Sequence, residues 1–305
     1  MLLNTYDVFG LGAITVDLIG SAPFWPVSGE KVKLLDFEIH DGGLTGTALA
    51  TVSKLGGKAA ICAQLGYSDW SLRAIKAFEQ AGVNTLNIVR KEGCEPVISM
   101  IISNKEDQER NIFFSRKGVV YPMPEDFPDE KWYRHTRVLI IDHGSGEAGV
   151  KAAKLAVENG VQVIIDAERI EPYLEEMFDL CSHIVVSQKF AHMYSGLDRV
   201  EKILANMRKH DDQAIIITMG ELGVAGLYND EIFRIPGHSI QVVDTTGCGD
   251  VFHGAYALAI ARGVHVKEAA KYANAAAALS ATAMGGRKGI PTQMELEKFL
   301  SIHSG

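Results

Sequence analysis

The apolar positions of this chain fall into short continuous runs, separated by longer stretches in which they recur every three or four residues. Residues 8–11, 59–64, 138–142, 161–166, 184–186 and 214–218 form such runs, and segments like VQVIID and AIIIT are predominantly apolar on both faces. Strands of that kind belong in a parallel sheet sandwiched between helices. Helical periodicity covers 45–55, 71–80, 148–159, 172–180 and 198–209, the first two closing at Gly56-Gly57 and Gly82. Glycine there accepts the left-handed turn that ends a helix. The alternation predicts an α/β fold, doubly wound, with a mostly parallel sheet flanked by helices, and residues 1–305 as a single domain.

Two stretches break this rhythm. Residues 31–40 (KVKLLDFEIH) alternate apolar and polar, as do 97–102 and 111–114, which flank the polar turn Asn104-Lys105-Glu106-Asp107. Alternation marks strands with one wet face. Inserts of about 20–41 and 95–120 are therefore expected to build a small antiparallel β lid over a substrate, with an edge sheet or a dimer surface as the alternative.

With 47% hydrophobic and 22% charged residues, the chain has an ordinary globular balance and can bury a core without staples. Its net charge of −8 argues against general binding to nucleic acid or to an anionic membrane, while a local basic pocket for phosphate is still compatible with it. Cys62, Cys94, Cys181 and Cys248 are scattered, with no C-x-x-C pair. That pattern points to a reducing cytoplasm and away from a zinc site or disulfide framework. The opening MLLNTYDVFGLG lacks a signal-peptide pattern, and no window approaches 18 uninterrupted apolar residues.

The chemistry concentrates in Asp244-Thr245-Thr246-Gly247-Cys248-Gly249-Asp250. It lies between a strand-like run at 240–243 and an apolar helical run at 251–261 that ends before Gly263. Glycines at 247 and 249 permit a tight turn with bare N–H groups, and the helix that follows adds the positive end of its dipole. Together they form a cradle for a phosphoryl group gaining charge in transfer. Asp250, in the first helical turn, is placed to take the proton of an attacking hydroxyl. Ordinary helix capping is the plainer account of a lone Asp, but the whole word between strand and helix is far more specific. No G-x-x-x-x-G-K-[ST] string exists, and Gly10-Leu11-Gly12 lacks the third glycine of a dinucleotide fingerprint.

The segment resembles the signature of the PfkB or ribokinase-like carbohydrate kinases, usually D-T-x-G-A-G-D, and the resemblance extends over essentially the whole chain. Gly10-Leu11-Gly12 leads to Asp17, where members place a substrate-contacting aspartate. Gly42-Gly43, with the helix ending Lys54-Leu55-Gly56-Gly57, matches the diglycine motif, although Thr47 stands where asparagine is common. Thr218-Met219-Gly220-Glu221-Leu222-Gly223 matches the strand-turn that contacts nucleotide, and Asn274 in the Ala-rich run 272–284 matches a residue beside the adenine pocket. The resemblance implies a ribokinase-like fold and transfer of the ATP γ-phosphoryl, with Mg2+, to a sugar hydroxyl. Asp250 would be the base and Gly247, Cys248 and Gly249 the anion hole; Cys248 replaces the usual alanine but keeps its N–H. Acceptor contacts are implied at Asp17, Gly42, Gly43, Thr47, Arg110 and Asp250. Nucleotide contacts are implied at Ser187, Thr218, Gly220, Gly223, Thr245, Gly247, Gly249 and Asn274. K+ at Asp244, Thr246 and Gly286, and pairing of two copies through the lid, complete the implied set.

One departure concerns metal. The N-x-x-E motif linked to magnesium reads Ser187-Gln188-Lys189-Phe190, without either polar ligand. Ile165-Asp166-Ala167-Glu168-Arg169 together with VVSQKFA is similar to the ketohexokinase and sulfofructose kinase branch, in which the serine is normal; Glu168 is then a candidate to organise Mg2+ through water. Arg110 and Arg116 flank NIFFS and are candidates for an anionic or polyol substrate, and His143 follows a strand end on the ligand side. A nucleoside kinase is the rival within the enzymes, and a non-catalytic regulator on the same fold the rival outside them.

Overall fold

The computed structural model describes residues 6–104 and 110–303. Its first strands are β1 (Tyr6–Leu11), β2 (Thr15–Ala22), β3 (Asp36–Gly42), β4 (Ala59–Leu65), β5 (Asn84–Arg90), β6 (Val97–Asn104) and β7 (Arg110–Ser115). There follow β8 (Thr136–Asp142), β9 (Gln162–Ala167), β10 (His183–Ser187), β11 (Ala214–Thr218), β12 (Val224–Tyr228) and β13 (Glu231–Ile235). The helices are α1 (Leu44–Lys54), α2 (Asp69–Gln80), α3 (Gly146–Glu158), α4 (Leu174–Leu180), α5 (Gln188–Ser195), α6 (Val200–Met207), α7 (Cys248–Ala261), α8 (Val266–Ser280) and α9 (Gln293–His303).

Nine strands make one sheet in the order β13-β12-β11-β10-β9-β8-β1-β4-β5. Its pairings are parallel except β11–β12 and β12–β13 at one edge. The chain steps outward from β1 toward β5, then restarts at β8 and steps the other way. The order therefore reverses between β1 and β8, which opens the crevice where such sheets bind ligands. Residues alternate across the sheet. Val138, Ile140, Val185 and Ile216 face α1, α2, α7 and α8, whereas Leu139, Ile141, Val163 and Ile215 face α3 to α6. Each such aliphatic side chain contributes about 1.5–3 kcal/mol by leaving water.

Helix α7 is apolar all round, buried from Val251 through Ala261, which is the signature of a helix enclosed in the core. Gly254 permits its approach to α1, since a Cβ there would lie 2.2 Å from the Ala48 carbonyl oxygen. The second sheet has the order β3-β2-β6-β7. Two of its pairings, β2–β3 and β6–β7, are antiparallel as the alternating pattern suggests; the central β2–β6 pairing is parallel.

Several sequence expectations shift. Residues 31–35 are loop, so the strand begins at Asp36, and 240–243 form no strand: Val243 and Asp244 instead donate their N–H groups to the Ala281 carbonyl. The helix expected over 198–209 is the shorter α6, and a further helix not expected from the sequence, α5, precedes it and ends at Gly196 in the left-handed region. Strands β2 and β5 had no distinct apolar signal. Of the expected turn, Lys105, Glu106 and Asp107 lie outside the described residues.

Candidate active site

The crevice is floored by the C-terminal ends of β1 and β8. Asp142, the last residue of β8 and wholly buried, accepts hydrogen bonds from the Ala13 N–H, from the Thr45 hydroxyl at 3.0 Å and from the Gly144 N–H at 3.0 Å. One carboxylate thus fixes the turn after β1, the start of α1 and the turn after β8. Gly12 must lack a side chain, because a Cβ would sit 2.2 Å from an Asp142 oxygen.

Above this floor stands the anion turn. Gly247 caps α7 at φ 74, a left-handed conformation in which a Cβ would meet the Gly286 Cα at 2.8 Å. A Cβ on Gly249, by contrast, would meet nothing within 4 Å. At Gly249 the N-terminal end of α7 therefore faces open space with the helix dipole directed at it, while the Cys248 N–H makes a long 3.3 Å bond to the Thr245 carbonyl. The turn is braced by Asp244. One of its oxygens accepts from the Thr246 N–H (2.9 Å) and hydroxyl (2.7 Å), the other from the Gly285 N–H (2.9 Å). Burial works to raise its pKa, but these bonds and the nearby Arg110 outweigh it and hold the carboxyl below its usual value. Burial pushes the Cys248 thiol up to about 11, with Asp244 and Asp250 adding to it.

Asp250 lies in the first turn of α7, partly covered. Burial raises its pKa well above the ordinary carboxylate value, and Asp166, Glu168 and Asp17 push the same way; Arg287 opposes them. Behind it, Asp166 at the end of β9 is buried and raised to about 7, mainly by burial, with His253 opposing. The His253 ring lies between the carbonyls of Gly249 (2.8 Å) and Val185 (3.0 Å), with Nδ1 3.3 Å from the Asp166 carboxylate. Asp17, on β2, is raised by burial, against the pull of the Thr15 and Ser99 hydroxyls and of Arg287 and His40. It abuts Gly42, where a Cβ would lie 2.2 Å from its carboxylate.

The small sheet leans over this ground. Arg110 donates to the Thr246 hydroxyl at 2.6 Å, Arg116 to the Gly144 carbonyl at 3.2 Å, and the Arg169 guanidinium lies 4.8 Å over the Phe114 ring. Between sheet and anion turn is a cavity of about 920 Å³, lined by Ile19, Ser21, His40, Ile101, Arg110 and Asp244 among others. Its size suits a small organic ligand.

The sequence profile described as pfkB family carbohydrate kinase matches residues 7–293. The chain belongs to this family. It is 26% identical over 300 residues to a ribokinase of Haemophilus influenzae, covering 95% of this chain and 97% of that protein. The crystal structure of a ribokinase from Thermotoga maritima superposes with a TM-score of 0.83 at 25% identity, over 97% of this chain and 99% of that one. A chain from E. coli solved in complex with ATP and Mg2+ has the same fold, with a TM-score of 0.82 at 22% identity, over 97% and 99%.

Within this pfkB kinase the structure brings Asp17, Gly42, Gly43, Gly247, Gly249 and Asp250 to one crevice. Gly43, at φ 92, starts α1. Thr47 is buried in the first turn of that helix. Ser187 caps α5, its hydroxyl accepting from the Phe190 N–H at 3.2 Å, which explains how a serine replaces the asparagine of the motif without loss of local order. Thr218 ends β11 with its hydroxyl toward the Val186 carbonyl, 3.4 Å away, and the turn beyond it needs Gly220 at φ 58 and Gly223 at φ 88. Asn274 donates to the Pro236 carbonyl at 2.9 Å and so pins α8 to the segment after β13. Thr245 is exposed on the turn, and Glu168 is exposed beyond β9. His143 is buried after β8, its Nδ1 3.4 Å from the Glu168 N–H. Sequence reasoning missed Asp142 and gave Arg287 no side-chain role. A signal for Asp142 exists in the acidic residue closing the apolar run VLIID, whereas Arg287 has none in its local pattern.

Proposed function

We propose that this pfkB-family carbohydrate kinase transfers the γ-phosphoryl group of ATP to a hydroxyl of a sugar or sugar-like polyol bound beside Asp17, with Asp250 as the base. The observation that carries this reading is the open N-terminal end of α7. It joins an anion cradle at Gly247–Gly249, open at Gly249, to a carboxylate one residue further on, in the crevice that Asp17 also faces. The acceptor hydroxyl gives its proton to Asp250 as its oxygen attacks the γ-phosphorus, and the bond to the β-phosphate oxygen breaks as ADP leaves. The N–H groups of Gly247, Cys248 and Gly249 hold the transferred group. Thr218, Gly220, Gly223, Thr245, Ser187 and Asn274 lie along the nucleotide side in this arrangement, and Gly42, Gly43, Thr47 and Arg110 on the acceptor side. The small sheet acts as a lid that keeps water from the phosphoryl group.

Burial together with Asp166, Glu168 and Asp17 raises the proton affinity of Asp250, and burial with Glu168 and Asp142 that of Asp166, so the crevice is an acidic neighbourhood that a divalent cation relieves. When bound with the triphosphate, Mg2+ supplies that neutralisation, and Glu168 is the residue assigned to it through water. A K+ ion at Asp244, Thr246 and Gly286 fits less well, because both Asp244 oxygens already accept bonds from the protein.

The test is a coupled assay with ATP across ketoses, aldoses, sugar acids, sugar phosphates, polyols and nucleosides. ADP release that depends on an added sugar or polyol is the expected result. Preference for adenosine or inosine over every free sugar would move the assignment to a nucleoside kinase, and no acceptor-dependent turnover at all would overturn it.

A further inference from the structure

Arg287 leaves the loop that closes behind the anion turn and runs to the acceptor end of the crevice. Its neighbours in the loop hold that turn: the Gly285 N–H binds Asp244, and Gly286 packs on Gly247. Its side chain holds the other end. Nη2 donates to the Gly42 carbonyl at 2.9 Å, and the guanidinium lies 5.2 Å over the Phe78 ring. A Cβ on Gly46 would meet Nη2 at 2.7 Å, so the helix start is shaped to admit it. Nε is buried and has no partner. A buried unpaired N–H is unfavourable, and an oxygen accepting from it would remove the penalty.

Charge singles out the same residue. Asp41, Asp17 and Asp250 all act on the Arg287 guanidinium. Asp41 is already gripped by Arg73 through bonds of 3.0 and 3.1 Å. Besides Asp41, the Arg287 charge acts on Asp17 and Asp250, the carboxylates on either side of the acceptor. Its planar fork can hold one carbonyl at Nη2 while presenting Nε–H from a separate nitrogen at fixed geometry, whereas a lysine carries all its donors on one nitrogen.

We propose that Arg287 is a positioning residue for the acceptor: it ties the Gly42–Gly43 turn to the anion turn and offers its buried Nε–H to an acceptor oxygen between Asp17 and Asp250. This rests on the kinase reading of the same crevice. The charge opposes the protonation that burial favours at both carboxylates, and the tie keeps the acceptor turn and the phosphoryl cradle at a fixed separation.

The test uses Arg287→Lys, Arg287→Gln and Gly46→Ala, the last displacing Nη2 from the opposite side. With the acceptor found in the panel, KM for acceptor and for ATP are measured separately, alongside a thermal midpoint. Acceptor KM should rise about ten-fold in both Arg287 variants, the scale of one lost charge-assisted hydrogen bond. It should rise in the same direction in Gly46→Ala, with KM for ATP within about two-fold of the parent in all three. A purely structural arginine would lower the midpoint and leave the acceptor KM of the folded protein unchanged, and that result overturns the proposal. So does an equal rise in both KM values. Should Arg287→Gln not fold, Arg287→Lys and Gly46→Ala decide by the same criteria. A parent protein inactive on every acceptor overturns the kinase reading and this inference together; an active parent with unmoved acceptor KM in the variants overturns only the role of Arg287.

Discussion

Asp250 sits under opposing demands. A general base must be ionised, yet burial and the nearby Asp166, Glu168 and Asp17 all favour its protonated form, with Arg287 alone among the named groups pulling the other way. The raised pKa makes it a stronger base once ionised, which suits proton transfer from a hydroxyl. The sign of the pH effect follows. Activity needs the carboxylate, so kcat/KM falls as pH drops through the raised pKa, and the acid limb must lie above the 3.8 of an ordinary Asp. Cys248, raised to about 11, stays a thiol throughout and adds no limb near neutrality. A profile of kcat/KM against pH at saturating ATP checks this. A limb at the ordinary carboxylate value would mean that Asp250 is not the group titrating.

At the scale of elements, the junction of β1, α1 and β8 depends on Asp142. Asp142→Ala strands the Ala13 N–H, the Thr45 hydroxyl and the Gly144 N–H, and each stranded buried donor costs about 1–3 kcal/mol. The expected loss is about 3 kcal/mol or more in urea unfolding with m unchanged, and a loss under about 1 kcal/mol would show that water replaces these bonds. The core strands β1, β4, β8, β9, β10 and β11 were legible because burial on both faces leaves nearly unbroken apolar runs. Strand β2 (TVDLIGSA) was not, because its Asp17, Gly20 and Ser21 face a cleft and a neighbouring chain segment and not a core. The run at 240–243 misled for the opposite reason. Its residues IQVV have strand character, but among the described residues no strand pairs with them, and the Val243 N–H bonds the Ala281 carbonyl after α8. Of the site, the glycines and Asp250 were readable as one contiguous word. Arg287 was not, because its partner Gly42 is 245 positions away and only the fold brings the two together.

For the whole molecule, the reversal of strand order between β1 and β8 puts the anion turn, the diglycine turn and the small sheet around one crevice. The inner face of that small sheet carries Asp17, His40, Ser99 and Arg110; its outer face exposes Phe37, Ile39, Met100 and Phe113. A contiguous apolar face of this kind is normally covered, and the pairing of two copies through the lid that the family resemblance implies would cover it. Phe113→Glu should then halve the mass seen by sedimentation; a parent that sediments as a monomer at micromolar concentration would contradict the pairing.

The central claim is that Asp250 takes the proton in phosphoryl transfer, and Asp250→Asn tests it most directly. The substitution keeps the shape of the first turn of α7 and removes the base. The account predicts a fall in kcat of about 10²–10⁴-fold, with ATP affinity unchanged. Near-parental turnover by the Asn variant, with ATP bound equally well, would contradict it.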